Sequence, residues 1–206
     1  MQNHSNHRPA ANQTTKERIF HAALKLFYES NYDKVSVRDI ANAAGVRIPT
    51  IYIYFESKED ILKSLYDFYN ENILKLTPDL DELMRLAKTE PPRDVLMKTG
   101  LSYNPTISPL LCHIVSIAVR EINAERSAKF LKAKVLGQFG NCVRSLLEHM
   151  VELGRIKPLD IETFISLFTN FTLSASLLNG TSFELGLEKW QASKEMLFSI
   201  IKPTQN

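Results

Sequence analysis

Cysteine is scarce in this chain. Of its 206 residues only Cys112 and Cys142 carry a thiol, and nothing in their placement marks a pair. That excludes a small disulfide-held scaffold and suits a reducing cytoplasm. Glycine and proline are few, at seven and nine residues, as expected of an ordinary globular chain. No apolar run approaches the roughly 18 residues a membrane span needs. The opening residues, MQNHSNHRPAANQ, lack the apolar centre of a signal peptide, so a cytoplasmic location is expected. Charge of one sign is missing too: 25 basic against 23 acidic side chains leave only +2, too little to argue for nucleic acid alone. No glycine loop of the phosphate-cradling kind occurs. The HSNH of the opening residues offers two metal ligands on a flexible arm, which falls short of a site. Cys112 and His113 are adjacent, so on a helix they point to different faces and make a poor dyad. No catalytic residue, metal or cofactor is expected.

Alternation with period two is also absent, and what fills its place is helical periodicity. Residues 1–13 are polar and aperiodic, and read as a disordered tail. Thr14 and Glu17 then form a capping box ahead of an apolar face of Ile19, Ala22, Ala23, Leu26 and Phe27. Ser36 and Asp39 open a second, shorter helix, which Gly45 ends as a left-handed turn residue. A third segment, VRIPTIYIYF, follows at 46–55. Ser57 and Asp60 cap a fourth helix, about 58–74, built on Ile61, Leu62, Leu65, Phe68, Tyr69 and Ile73. Further helices are expected at about 79–88, 92–101, 107–122, 125–153, 160–179 and 186–201. The fold class is all-α, a compact three-helix unit in front of a larger bundle.

The stretch SVRDIANAAGVRIPTIYIYF, residues 36–55, has the layout of a helix-turn-helix. Ile40 and Ala41 face inward, Gly45 allows the turn, and Val46 and Ile51 are expected to share the same small core. Left facing outward are Arg47, Ile48, Pro49, Thr50, Tyr52 and Tyr54. A tyrosine here is a rigid arm whose hydroxyl can reach a DNA phosphate; equally, an aromatic at this spacing can be a packing residue. RIFHAALKLF, SVRDIANAAGV, the T-I-Y-x-Y-F pattern and SKEDIL follow one another in order. Together, from about Lys16 to Tyr69, they resemble the DNA-binding domain of the tetracycline-repressor (TetR) family of transcriptional regulators. By that resemblance Thr50, Tyr52 and Tyr54 touch phosphate or bases, and Ser36 is a cap that contacts the DNA backbone. Lys58 would act at the fourth helix's N-terminus, where free N–H groups also favour an anion. The chain departs from the family pattern in carrying Arg47 where Ser is usual, Pro49 where Gly is usual, and Ile53 at a commonly polar position. Arg47 brings a planar fork suited to guanine.

The resemblance implies residues 14–73 as a DNA-binding domain with its motif at 36–55, and residues 74–206 as a ligand-binding and dimerisation domain. The helix at 160–179 is apolar on more than one face and so must be buried on more than one side. With the last helix it could form a four-helix dimer bundle through Ile165, Thr169, Thr172, Ser176, Trp190, Leu197 and Ile201, or simply close a monomer's core. His113, Ser116 and Arg120 form a polar stripe on an apolar helix, and with Tyr103, Phe139 and Cys142 they could line a ligand cavity. His113 could also be an ordinary packed histidine, and Arg120 a partner for the helix's C-terminal dipole. The expected function is a ligand-responsive, homodimeric repressor binding double-stranded operator DNA and an unidentified small-molecule effector. The alternative is a small helical enzyme or carrier whose front unit is only structural.

Overall fold

The computed structural model describes residues 14–99, 107–121, 123–178 and 192–204; the side chains of 135, 138, 139 and 171–178 are outside the description. The expected tail, residues 1–13, lies outside it too. The fold is all-α. The described helices are α1 Thr15–Ser30, α2 Val37–Ala44, α3 Ile48–Tyr54, α4 Lys58–Leu76, α5 Leu80–Leu86, α6 Pro92–Met97, α7 Ser108–Arg120, α8 Glu125–Phe130, α9 Gly137–Glu152 and α10 Ile161–Leu178. A further helical stretch covers 192–198. Among the described residues, extended pairing is limited to an isolated antiparallel bridge between Ile156 and Pro203. No described helix is long and apolar enough to cross a membrane. The chain forms two compact units, one ending at Leu65 and one beginning at Tyr66, so the division falls inside α4.

Local chemistry sets the starts of the first helices. The Thr14 hydroxyl accepts from the Glu17 amide at 3.2 Å, while the Glu17 carboxylate accepts from the Thr14 amide at 2.8 Å. Ser36 and Asp39 repeat that box at 3.2 and 2.8 Å. Hydrogen bonds from Ser36 hold the Asp39 carboxyl below its usual range. The core of the first unit is Ile19, Ala23, Leu24, Phe27, Ile40, Ala41, Ile51, Phe55, Ile61, Leu62 and Leu65, all buried. Two expected inward residues of α1, Ala22 and Leu26, are only half-buried, and Leu24 takes their place. Val46 is likewise half-buried, leaving Ile51 to hold α3 to the core.

In the second unit, the helix expected at 125–153 is interrupted. Residues Leu131–Leu136 adopt a π-helical turn between α8 and α9. The Gly137 amide donates to the Lys132 carbonyl five residues back, and a β-carbon on Gly137 would lie 2.9 Å from that oxygen. Glycine is what lets the widened turn close. Gly140 serves a different contact: a β-carbon there would meet Ile165 Cγ2 at 3.2 Å, so α9 and α10 cross closely at this point. Arg144 and Glu162 add an ion pair between the same helices. The Phe164 and Phe168 rings stack against Phe198, with centroids 6.0 and 5.9 Å away. The Tyr66 ring stacks on Phe130 at 4.2 Å, Tyr69 meets that ring edge-on at 5.1 Å, and the Tyr66 hydroxyl bonds Ser127 Oγ at 2.9 Å. Buried aromatic pairs of this geometry add about 0.5–1.5 kcal/mol each beyond their area.

Candidate nucleic-acid interface

The turn between α2 and α3 is made by Gly45, in left-handed conformation at φ 65° and ψ 39°. A β-branched or bulky residue would be strained there. The α2 C-terminus, where carbonyls carry the negative end of the helix dipole, is met by a cation from α1. Arg18 Nη2 donates to the carbonyls of Ala44 at 2.5 Å and Gly45 at 3.0 Å. A second cation closes the other side. Lys58 Nζ donates to the carbonyls of Tyr32 and Val35, each at 2.9 Å, in the connection between α1 and α2. The helix-turn-helix is thus held at its entry and at its central turn by charge-assisted bonds to backbone oxygens.

On that frame α3 presents a regular set of side chains. Arg47 is its N-cap residue but makes no capping hydrogen bond, and Pro49 sits in the first turn, where a missing N–H is tolerated. Ile51 is fully buried and fixes the inward face. At about 100° per residue, Pro49 and Ile53 then point away from the core, with Tyr52 and Thr50 to either side. Exposure follows that geometry. Tyr52 is 54% exposed, Ile53 75% and Tyr54 41%. Arg47 and Pro49 are exposed, while Ile48 and Thr50 are half-buried. Ser36 is exposed, with its hydroxyl donating to Asp39 at 2.6 Å. The two tyrosines are therefore not core residues of this chain.

The residues expected to line a cavity are described only in part. Tyr103 lies outside the described residues, as does the Phe139 side chain. Ser116 is buried and donates to the Cys112 carbonyl at 2.9 Å; Arg120 Nε donates to the Ser116 carbonyl at 3.3 Å. These two are thus joined along α7. His113 and Cys142 are half-buried, and burial pushes the Cys142 thiol up. Of the residues expected at a dimer interface, Ile165 and Ile201 are buried within the chain. Thr169 and Leu197 are half-buried, the Thr172 and Ser176 side chains are not described, and Trp190 lies outside the described residues. The large apolar side chains that these segments do expose are Leu167, Met196 and Ile200.

Residues 19–65, which contain α2, α3 and both clamps' carbonyls, match the family model for bacterial regulatory proteins of the tetR family. Relatives named as regulators agree over part of their length. The chain is 28% identical over 145 residues to the fatty acid metabolism regulator protein of Bacillus subtilis (strain 168), covering 68% of this chain and 69% of that one. It is 34% identical over 64 residues to the transcriptional regulator AcrR of Shigella flexneri, covering 31% and 30%. The chain belongs to the TetR family of transcriptional regulators. Its fold is similar to that of a transcriptional regulator from Saccharomonospora viridis solved in complex with choline, at a TM-score of 0.61 and 16% identity over 92% of this chain and 98% of that one. As a TetR-family protein it binds DNA and is not an enzyme, which sets aside the enzyme reading of its helical bundle.

Reading the sequence of this regulator by periodicity missed the two clamps. Arg18 lies 26 residues from the nearest carbonyl it holds, and Lys58 lies 23 residues from its own. A local pattern carries no signal for such a partner; only the packed fold brings them together.

Proposed function

We propose that the chain is a homodimeric repressor that reads a near-palindromic operator through α3 and lets it go when a small molecule binds the larger unit. The observation that carries this reading is the outward face of α3: exposed Arg47, Pro49, Tyr52 and Tyr54 on a helix whose turn is clamped by Arg18, in a motif whose entry is clamped by Lys58. Tyrosine hydroxyls fit phosphate contacts, which set register, as does the Ser36 cap once its hydroxyl turns from Asp39 to a phosphate; Arg47, Ile48, Pro49 and Thr50 fit base edges. In this reading residues 14–73 are the DNA-binding domain, and residues 74–206 bind the effector and the second subunit. The protein acts in the cytoplasm, where its operator is.

Exposed Leu167, Met196 and Ile200 support α10 and the 192–198 stretch as the dimer face; in this reading Thr169, Thr172, Ser176, Trp190 and Leu197 belong to it. Effector binding is supported by the polar stripe of His113, Ser116 and Arg120, joined by Tyr103, Phe139 and Cys142. A structure of similar fold holds choline, so this architecture accommodates a small molecule. Coupling of about 5–150-fold in operator affinity is typical of such regulation.

The test is a footprint of the full-length protein on genomic DNA, with the mass of the complex measured in parallel. Two protected half-sites about 34–36 Å apart and two subunits per duplex are expected. A single half-site occupied by one subunit would refute the dimeric reading.

A further inference from the structure

The most exposed side chain of α3 is apolar. Ile53 stands two residues beyond fully buried Ile51 and is 75% exposed. About 200° separates them around the helix axis, so Ile53 projects straight away from the core. Pro49 lies four residues earlier on the same ridge, is exposed, and has no amide hydrogen to offer. The crest of the helix is therefore a hydrocarbon edge without a donor or acceptor. Hydroxyl-bearing Thr50 and Tyr52 flank it.

We propose that Ile53 and Pro49 read the 5-methyl groups of thymines in the operator's major groove. The inference rests on the proposed docking of α3 in that groove. Of the four base pairs' major-groove edges, only those containing thymine present an apolar group, and an apolar side chain is its natural partner. A guanine or adenine edge facing this crest would lose its water without gaining a hydrogen bond, which disfavours those bases. Exposed aliphatic area on a helix that meets solvent in the free protein is thus put to use as specificity. Thymine is the base this ridge selects, at one or more positions in each half-site.

The experiment uses the full-length protein and a duplex of about 30 base pairs, obtained by selection from a random library. Thymines are replaced one at a time, symmetrically in both half-sites, by deoxyuridine. That change removes a methyl group and leaves pairing intact. Burial of one methyl group corresponds to about a four-fold change in affinity, so about 15-fold weaker binding is expected for the symmetric pair. Ile53→Ala should bind thymine and uracil duplexes alike at that position. Its melting temperature should be unchanged, because the side chain is exposed. Wild-type binding that is insensitive to uracil at every thymine would overturn the inference while leaving DNA binding by α3 intact. Failure to select any duplex would overturn the docking reading, and this inference with it.

Discussion

Lys58 donates to the Tyr32 carbonyl at 2.9 Å while its ammonium sits 4.1 Å from the centre of the same residue's ring. The Tyr32 ring is itself tilted against Phe27, 5.1 Å away. One cation therefore ties the start of α4 to the end of α1 through a carbonyl, a ring and the core behind it. The Val35 carbonyl, also at 2.9 Å, extends the tie to the residue before the Ser36 cap.

This arrangement separates two roles for Lys58. A lysine that neutralises a phosphate steepens the salt dependence of binding by about 0.9 in log–log slope. A lysine engaged with carbonyls mainly holds the fold. Lys58→Met is expected to lower stability by about 1–2 kcal/mol, visible as a fall in melting temperature, and to weaken DNA binding while the salt slope stays as it was. A slope shallower by about 0.9 per half-site, with melting unchanged, would instead assign Lys58 to phosphate.

The two glycines at the π turn and in α9 should respond unequally to the same change. Alanine gains about 1 kcal/mol over glycine from helix propensity alone. At Gly140 the neighbours are the ends of side chains, Ile165 Cγ2 at 3.2 Å and Thr169 Cγ2 at 3.4 Å, which can give slightly. Gly140→Ala should be within about 1 kcal/mol of neutral. At Gly137 the obstacle is the Lys132 backbone oxygen at 2.9 Å, so the π turn itself must rearrange. Gly137→Ala should destabilise by about 1–3 kcal/mol. Denaturant melts of the two variants decide this; equal stabilities would show that the turn relaxes freely.

Features governed by neighbours in sequence were legible before the structure. Thr14, Ser36 and Gly45 each act within a few residues, and their caps and turn are where the sequence places them. Of the outward set expected on α3, Arg47, Pro49, Tyr52 and Tyr54 are exposed, Ile48 and Thr50 are half-buried, and Ile53, 75% exposed, was not among it. Long-range features were not legible. The Leu131–Leu136 π turn depends on how many residues the packing on either side can accept, so a pattern of period 3.6 reads through it. Ile165 reads as a partner-facing residue only until Gly140 lets α9 close over it. The ends of α5 and α6 also fell short of the periodic reading: α6 stops at Met97 rather than near 101.

Alkaline pH should expose the burial around Cys112. Burial pushes its thiol up from 9.0 to about 11, and burial, followed by the nearby Cys112, pushes the Tyr69 phenol up as well. Both groups hold their protons more tightly folded than unfolded. The stability they contribute is present below their unfolded values and is lost as pH rises through the folded ones. Lys194 works the other way: burial pushes its ammonium down from 10.5 to about 8, so its contribution improves with pH above that point. The informative quantity is therefore a difference. Between pH 9 and 11 the wild type should lose about 1–2 kcal/mol relative to Cys112→Ala, read from melts across that range. Parallel curves for the two proteins would show that the thiol is not desolvated in solution.

Tyr52 and Arg47 lie on one short helix, yet their substitution should leave different signatures. Tyr52→Phe removes only a hydroxyl from a side chain that is 54% exposed, so stability should not change. If that hydroxyl meets a phosphate, its loss weakens binding by about 1 kcal/mol per half-site, roughly five-fold, or about 25-fold for a dimer. Because a phosphate is the same in every sequence, the loss should be equal for the selected operator and for scrambled duplex. Arg47 is exposed at the α3 N-cap and makes no capping bond, so its fork is available to a base edge. Arg47→Ala should weaken the selected operator by about 1–3 kcal/mol and leave scrambled duplex nearly unaffected, lowering the ratio between them. Gel shifts of both variants against both duplexes give four affinities that resolve these roles. Uniform loss for Arg47→Ala would move it to the phosphates, and unchanged binding by Tyr52→Phe would remove the hydroxyl from the interface.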